Sequence, residues 1–141
     1  MFSKSCKYGI RAVLYLAVNT KNGEKIGVKE IAENLNVPKP FLAKILQELS
    51  RHNLISSAKG PTGGFFLNKE NLEQPLLKII ESIDGQQIFS ACILGLRTCS
   101  AENPCPLHFQ TRAYYEELLK LVSGQSIEAF SGSVEIEKLA L

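Results

Sequence analysis

The sequence predicts a mainly α-helical fold with one small β-hairpin and a long C-terminal helix. Three observations predict it. Apolar residues recur at i, i+3, i+4 and i+7 in four separate stretches. A single Gly- and Pro-rich turn separates two short apolar segments. The 141 residues, 45% hydrophobic and 21% charged, suit one compact domain with a real core and argue against disorder or a membrane-spanning chain.

The first helix carries Ile10, Val13, Leu14 and Ala17 at that spacing, with Tyr8, Ala12, Tyr15 and Leu16 adding apolar surface elsewhere, so it is expected to be buried on more than one side. Asn19 to Gly23 ends it. Val28, Ile31, Ala32 and Leu35 make a short second helix, and "NVPK" breaks the chain before a third. The third helix buries Leu42, Ile45, Leu46 and Leu49. Its other side shows Pro40, Ala43, Lys44, Gln47 and Arg51, side chains that suit a DNA major groove, where Lys donates to guanine and Gln pairs with adenine.

Leu54 to Ala58 and Phe65 to Leu67 then flank a turn with Gly60, Pro61, Gly63 and Gly64, the pattern of a hairpin with an extended tip. The Lys-Ser/Thr of a phosphate-binding loop does not follow these glycines. Two helices, a turn, a third helix with a polar face and a basic hairpin together read as a winged helix-turn-helix. A fourth helix holds Leu76, Ile79, Ile80 and Ile83, with Pro75 expected at its first position and Gly85 just past its end. A longer helix is expected from Pro106 to Val122, with Leu107, Tyr114, Leu118 and Leu121 on one broad side that a second subunit would cover. The tail from Gln125 onward is assigned no role.

Charge divides the chain in two. Residues 1–69 hold 11 Lys and Arg against 4 Asp and Glu, or +7; residues 70–141 hold 5 against 10, or −5. Only the front half is therefore expected to face a polyanion. Lys4, Lys7 and Arg11 around the run "AVLYLAV" imitate a signal peptide, but no small-residue cleavage site follows and the run is too short to span a bilayer. A cytoplasmic protein with reduced thiols is expected, with no membrane partner.

That expectation matters for "CILGLRTCSAENPCPLHF", residues 92–109, which holds three of the four cysteines and one of the two histidines. The spacing is Cys92-x6-Cys99-x5-Cys105-x2-His108. Zinc sites usually use paired short spacings such as C-x2-C, whereas iron–sulfur clusters accept wider ones and prefer thiolate. Pro104 and Pro106 stiffen the approach of Cys105. Cys6 reads as a small buried side chain, and His52 as an exposed residue at a helix end.

"YGIRAVLYLA", "VKEIAENLNVPKPFLAKILQELSRHNLISSAKGPTGGFFL" and the cysteine triplet together resemble the Rrf2 family of bacterial transcriptional regulators, with iron–sulfur, nitric-oxide-sensitive and cysteine-metabolism branches; the resemblance runs from about Ser3 to about Val122. It implies a homodimer bound to a pseudo-palindromic operator in double-stranded DNA. Residues 1–70 would form the winged helix-turn-helix, with the first helix shared with the dimer core. Residues 71–124 would carry the cluster loop and dimerisation helix, and 125–141 a tail, all within one compact domain. The DNA contacts implied are Lys39, Pro40, Phe41, Lys44, Gln47 and Arg51 on the third helix and Lys59, Gly60, Thr62 and Gly63 on the wing.

The same resemblance implies an iron–sulfur cluster on Cys92, Cys99 and Cys105. His108 lies where IscR-type members supply a nitrogen ligand, which favours a two-iron two-sulfur cluster. NsrR-type members use a carboxylate before the first-helix aromatic; here Lys7 precedes Tyr8, and a cation cannot ligate iron. The first gap is one residue longer than is usual in those relatives. Two readings follow: a regulator controlled by its cluster through redox state, nitric oxide or cluster supply, and a metal-free regulator controlled by a partner protein or by thiol oxidation. An enzyme fits worst, since no acid–base or nucleophile–base arrangement is evident.

Overall fold

A computed structural model of the chain describes residues 1–140. Seven α-helices and one two-stranded hairpin follow in the order α1 (Lys4–Asn19), α2 (Val28–Leu35), α3 (Lys39–Arg51), β1 (Ser56–Ala58), β2 (Gly64–Phe66), α4 (Lys69–Glu73), α5 (Leu76–Asp84), α6 (His108–Gly124) and α7 (Ile127–Ser131). Short 3-10 turns cover Gln86–Phe89 and Ile136–Leu139. Among the described residues no helix is long and apolar enough to cross a membrane.

Ser3 starts α1 by accepting the Cys6 N–H on its side chain at 3.0 Å. The helix then buries Cys6, Tyr8, Ala12, Val13, Tyr15, Leu16 and Ala17, and packs against α2, α3, α5 and α7. This many-sided burial is what its all-round apolar pattern implies. The turn between α2 and α3 is made by Asn36 in the left-handed region, φ +56°, with Pro40 in the first turn of α3. Leu42, Ile45, Leu46 and Leu49 face the core from α3.

The hairpin pairs Ser56 with Phe66, Ser57 with Phe65 and Ala58 with Gly64. β1 is shorter than its apolar segment, since Leu54 and Ile55 precede the ladder and are buried in the core, and β2 starts one residue earlier than its segment, with Leu67 buried just beyond it. Ile26 joins as a one-residue third rung, exchanging backbone hydrogen bonds with Phe65 at 2.9 and 2.8 Å. Gly64 permits this approach: its φ is +151°, and a Cβ there would sit 2.7 Å from the Ile26 backbone.

Three sequence expectations need correction. Pro75 caps α5 from outside, so the helix starts at Leu76. The long helix runs from His108 to Gly124, two residues later at each end than the spacing implied, the scale on which helix ends are ordinarily uncertain. The segment after Gln125 is part of the core: Ile127 is fully buried, its N–H donates to the Gln74 carbonyl at 2.8 Å, and α7 lies against α1 and α4. The Arg11 guanidinium holds both the Leu139 carbonyl and, at 2.7 Å, the Leu35 carbonyl, tying the tail to the end of α2. Leu141, the last residue of that tail, lies outside the described residues. Truncating a side chain with no room to collapse leaves a cavity, so Ile127→Ala is expected to lower stability by about 2–5 kcal/mol in denaturant unfolding.

Candidate metal centre and nucleic-acid interface

Between the 3-10 turn and α6, residues 90–107 form a loop folded on its own backbone. The Gly95 N–H donates to the Cys92 carbonyl at 2.9 Å, Ser100 and Asn103 exchange hydrogen bonds at 3.1 Å, the Asn103 amide donates to the Thr98 carbonyl at 3.2 Å, and the His108 N–H donates to the Cys105 carbonyl at 3.1 Å. These turns bring the three thiols inward while Ile93, Leu94 and Leu96 point outward.

The sulfurs of Cys92, Cys99 and Cys105 lie within 4.8 Å of one another. Cys92 Sγ is 3.7 Å from Cys105 Sγ, and Cys99 Sγ is 3.2 Å from His108 Nδ1. Two thiolates on one tetrahedral ion, with metal–sulfur bonds of about 2.3 Å, sit roughly 3.8 Å apart, so the first pair has the separation of two ligands on a single ion. The second pair offers sulfur and nitrogen at similarly short range. Three soft thiolates and an imidazole form a donor set that fits iron–sulfur chemistry.

The thiols are not equivalent. The Leu96 backbone N–H draws Cys92 below the usual thiol range, helped by Leu94 and the other two thiols against some desolvation. At Cys99 the Cys105 N–H, donating at 3.4 Å, pulls down, but desolvation and the neighbouring thiols outweigh it and raise the group. Cys6 lies far from this chemistry in role: it is fully buried, and desolvation, with Asp84 beside it, pushes it up to about 12.

A cavity of about 30 Å³ opens beside the three cysteines and is also lined by His108, Thr111, Arg112 and Tyr115. The last three were absent from the sequence reading. Their signal was available, since they follow His108 at i+3, i+4 and i+7 and so share its side of α6. Arg112 also reaches the Phe89 carbonyl at 3.5 Å, linking α6 to the 3-10 turn.

Lys39, Pro40, Phe41, Lys44, Gln47 and Arg51 are all exposed on α3, and Lys59, Gly60 and Thr62 are exposed at the hairpin tip, with Gly63 half-buried. Phe41 is only partly free: its ring meets Tyr8 edge-on at 5.5 Å. His52 is exposed at the end of α3, and its Nδ1 lies 2.7 Å from Ser82 Oγ on α5, a contact the sequence did not disclose.

Known proteins resemble the chain in sequence and in fold. The profile of the Rrf2 family, described as iron-dependent transcriptional regulators, matches residues 2–133. A candidate HTH-type transcriptional regulator of Aquifex aeolicus is 35% identical over 130 residues, covering 91% of this chain and 89% of its own. The HTH-type transcriptional regulator IscR of Photorhabdus laumondii is 24% identical over 134 residues, covering 95% and 80%. Among solved structures, the cysteine regulator CymR of B. subtilis superposes with a TM-score of 0.77 at 17% identity, covering 96% of this chain and 98% of its own, a likeness of fold.

Thiolate is the reactive form of cysteine, so a lowered pKa raises its fraction at a given pH and a raised one reduces it. In metal-free protein at mildly alkaline pH, iodoacetamide is expected to label Cys92 before Cys99 and to leave Cys6 untouched until the chain unfolds, as read by peptide mass spectrometry.

Proposed function

Because the chain belongs to the Rrf2 family of transcriptional regulators, we propose that it is a cytoplasmic homodimer whose grip on a pseudo-palindromic DNA operator is set by an iron–sulfur cluster. The cluster is of the two-iron two-sulfur kind, held by Cys92, Cys99 and Cys105 with His108 as the fourth ligand. The observation that carries this reading is the convergence of the three sulfurs within 4.8 Å, with the His108 nitrogen 3.2 Å from one of them. When bound, the cluster supplies a centre that responds to redox state or nitric oxide. The protein's own part is mechanical: ligation by four residues orders the loop, which is joined at one end to α5 and at the other to α6.

DNA contact falls to α3 in the major groove and to the wing beside it, through Lys39, Pro40, Phe41, Lys44, Gln47 and Arg51 and through Lys59, Gly60, Thr62 and Gly63. In a two-fold dimer the recognition helices must lie about 34–36 Å apart to enter successive major grooves, so a change in the loop that alters this spacing alters affinity. The second copy is supported by the outward side of α6, where Tyr114 and Leu121 are exposed, and by an apolar cleft of about 590 Å³ between α1, α6 and α7 lined by Phe2, Tyr8, Leu118, Leu121 and Phe130.

Control by thiol oxidation without metal is the second reading, and the 3.7 Å approach of Cys92 to Cys105 favours it. Visible absorption and iron and sulfide content of protein purified without oxygen separate the two: colour with stoichiometric sulfide supports the cluster, and a colourless, iron-free dimer rejects it.

Cys99→Ala is expected to lose the cluster yet remain a folded dimer, because the core is apolar side chains and not metal. Its operator affinity, measured anaerobically beside the wild type at one salt concentration, should differ; equal affinities would remove the cluster from control of DNA binding. Lys44→Ala and Gln47→Ala should each relax base preference at particular operator positions by about 1–3 kcal/mol in competition binding, while leaving the preference elsewhere unchanged.

A further inference from the structure

The two strands of the wing are anchored by different means. β2 is held by the backbone hydrogen bonds that Phe65 exchanges with Ile26, and just past it the Leu67 N–H donates to the buried Thr20 side-chain hydroxyl at 3.2 Å. β1, the strand that leads into Lys59, is anchored by a side chain from α4. Asn71 is 3% exposed. Its Oδ1 accepts from the Ser56 hydroxyl at 2.7 Å and from the Asn68 backbone N–H at 3.0 Å, and its Nδ2 donates to the Asn53 carbonyl at 3.0 Å.

One amide thus joins three places: the exit of α3 at Asn53, the first residue of β1 at Ser56, and the start of α4 at Asn68. Asn68 answers by accepting the Asn71 N–H at 2.9 Å, which closes a capping box and fixes Asn71 in place. Leu54 and Ile55, between α3 and β1, are buried and hold this connection against the core. Apolar burial is non-directional, however, whereas hydrogen bonds fix orientation. Two backbone bonds close the end of α3, from the Asn53 N–H to the Ser50 carbonyl at 3.1 Å and from the Leu54 N–H to the Leu49 carbonyl at 3.0 Å, but both stop short of β1; Ser50 Oγ to Ser57 Oγ at 3.1 Å reaches the strand and is exposed, so it competes with water.

We propose that Asn71 is a positioning residue for DNA binding, holding β1 at a set orientation against α3 so that the wing and the recognition helix reach the duplex together. The proposal rests on the reading of α3 and Lys59 as DNA-contacting. Asn71 itself touches no DNA; it acts through Ser56 on the strand that carries Lys59, three residues further on.

The test is the salt dependence of binding to a mixed-sequence duplex, using the full chain. Each phosphate neutralised adds about 0.9 to the slope of log affinity against log salt, and a folded fraction that circular dichroism shows constant over the salt range leaves that slope unchanged. Lys59→Ala is expected to make the slope shallower by about 0.9 for each phosphate that the wing no longer neutralises. Asn71→Ala should reproduce most of that decrease and add none of its own in the Lys59→Ala background. Ser56→Ala removes only the bond to β1 and leaves the capping box and the Asn53 bond intact, so it serves where Asn71→Ala fails to fold, and should show the same partial, non-additive decrease. A folded Asn71→Ala or Ser56→Ala protein with the wild-type slope, or a decrease that adds to that of Lys59→Ala, overturns the proposal while leaving the wing as a DNA contact. A wild-type slope in Lys59→Ala overturns the wing reading, and this proposal with it.

Discussion

The close approach of three helices at Gly9 is the constraint on which the rest of the structure depends. A Cβ at that position would crowd Ile83 Cδ1 and lie 3.3 Å from Ile45 Cγ2, so even the smallest side chain there would require the Ile83 methyl to turn away and Ile45 to give by a few tenths of an ångström. With hydrogen in its place, α1 becomes the common wall against which α3 and α5, the helix leading to the cysteine loop, both pack. Toward the start of α1 the same contact continues in polar form: the Ser3 N–H donates to Asp84 at 2.9 Å, and the Ser3 hydroxyl also bonds that carboxylate. The end of α5, which leads to the cysteine loop, is thereby tied to the start of α1, and α5 packs against both α1 and α3.

The surface divides along the same line. The basic front half forms α1 to the wing, and its cations stay exposed on α3 and the hairpin tip, where Lys39, Lys44, Arg51 and Lys59 face solvent. The acidic back half carries the loop and α6. That helix buries Tyr115 and Val122 inward, with Leu118 partly covered, and leaves Tyr114, Leu119 and Leu121 exposed. An apolar side of this kind on so small a chain has a natural complement in a second copy.

Much of the fold was legible because burial in α2, α3 and α5 follows the helical period, a local property of the sequence, while α1, apolar all round, is buried on several sides with Ile10 and Leu14 of its periodic stripe only partly covered. The hairpin was legible from its glycines and proline for the same reason. α4 and α7 were not. Each is five residues long, too short to show a period, and each is stabilised by contacts with chain that is distant in sequence: Asn71 by Ser56 and Asn53, Ile127 by Gln74 and α1.

The candidate site divides in the same manner. Residue type and clustering drew attention to Cys92, Cys99, Cys105 and His108, and the resemblance to the family is what made them a ligand set. The basic side of α3 was equally visible, because polar residues at helical spacing opposite a buried stripe must face outward. Which thiols pair, and which is drawn down, was decided by loop turns and by backbone N–H groups aimed at sulfur, and no one-dimensional pattern encodes those directions. The Asn71 linkage belongs with them: asparagine reads as an ordinary surface residue until packing removes water from around it, and only then do its hydrogen bonds become fixed points of the structure.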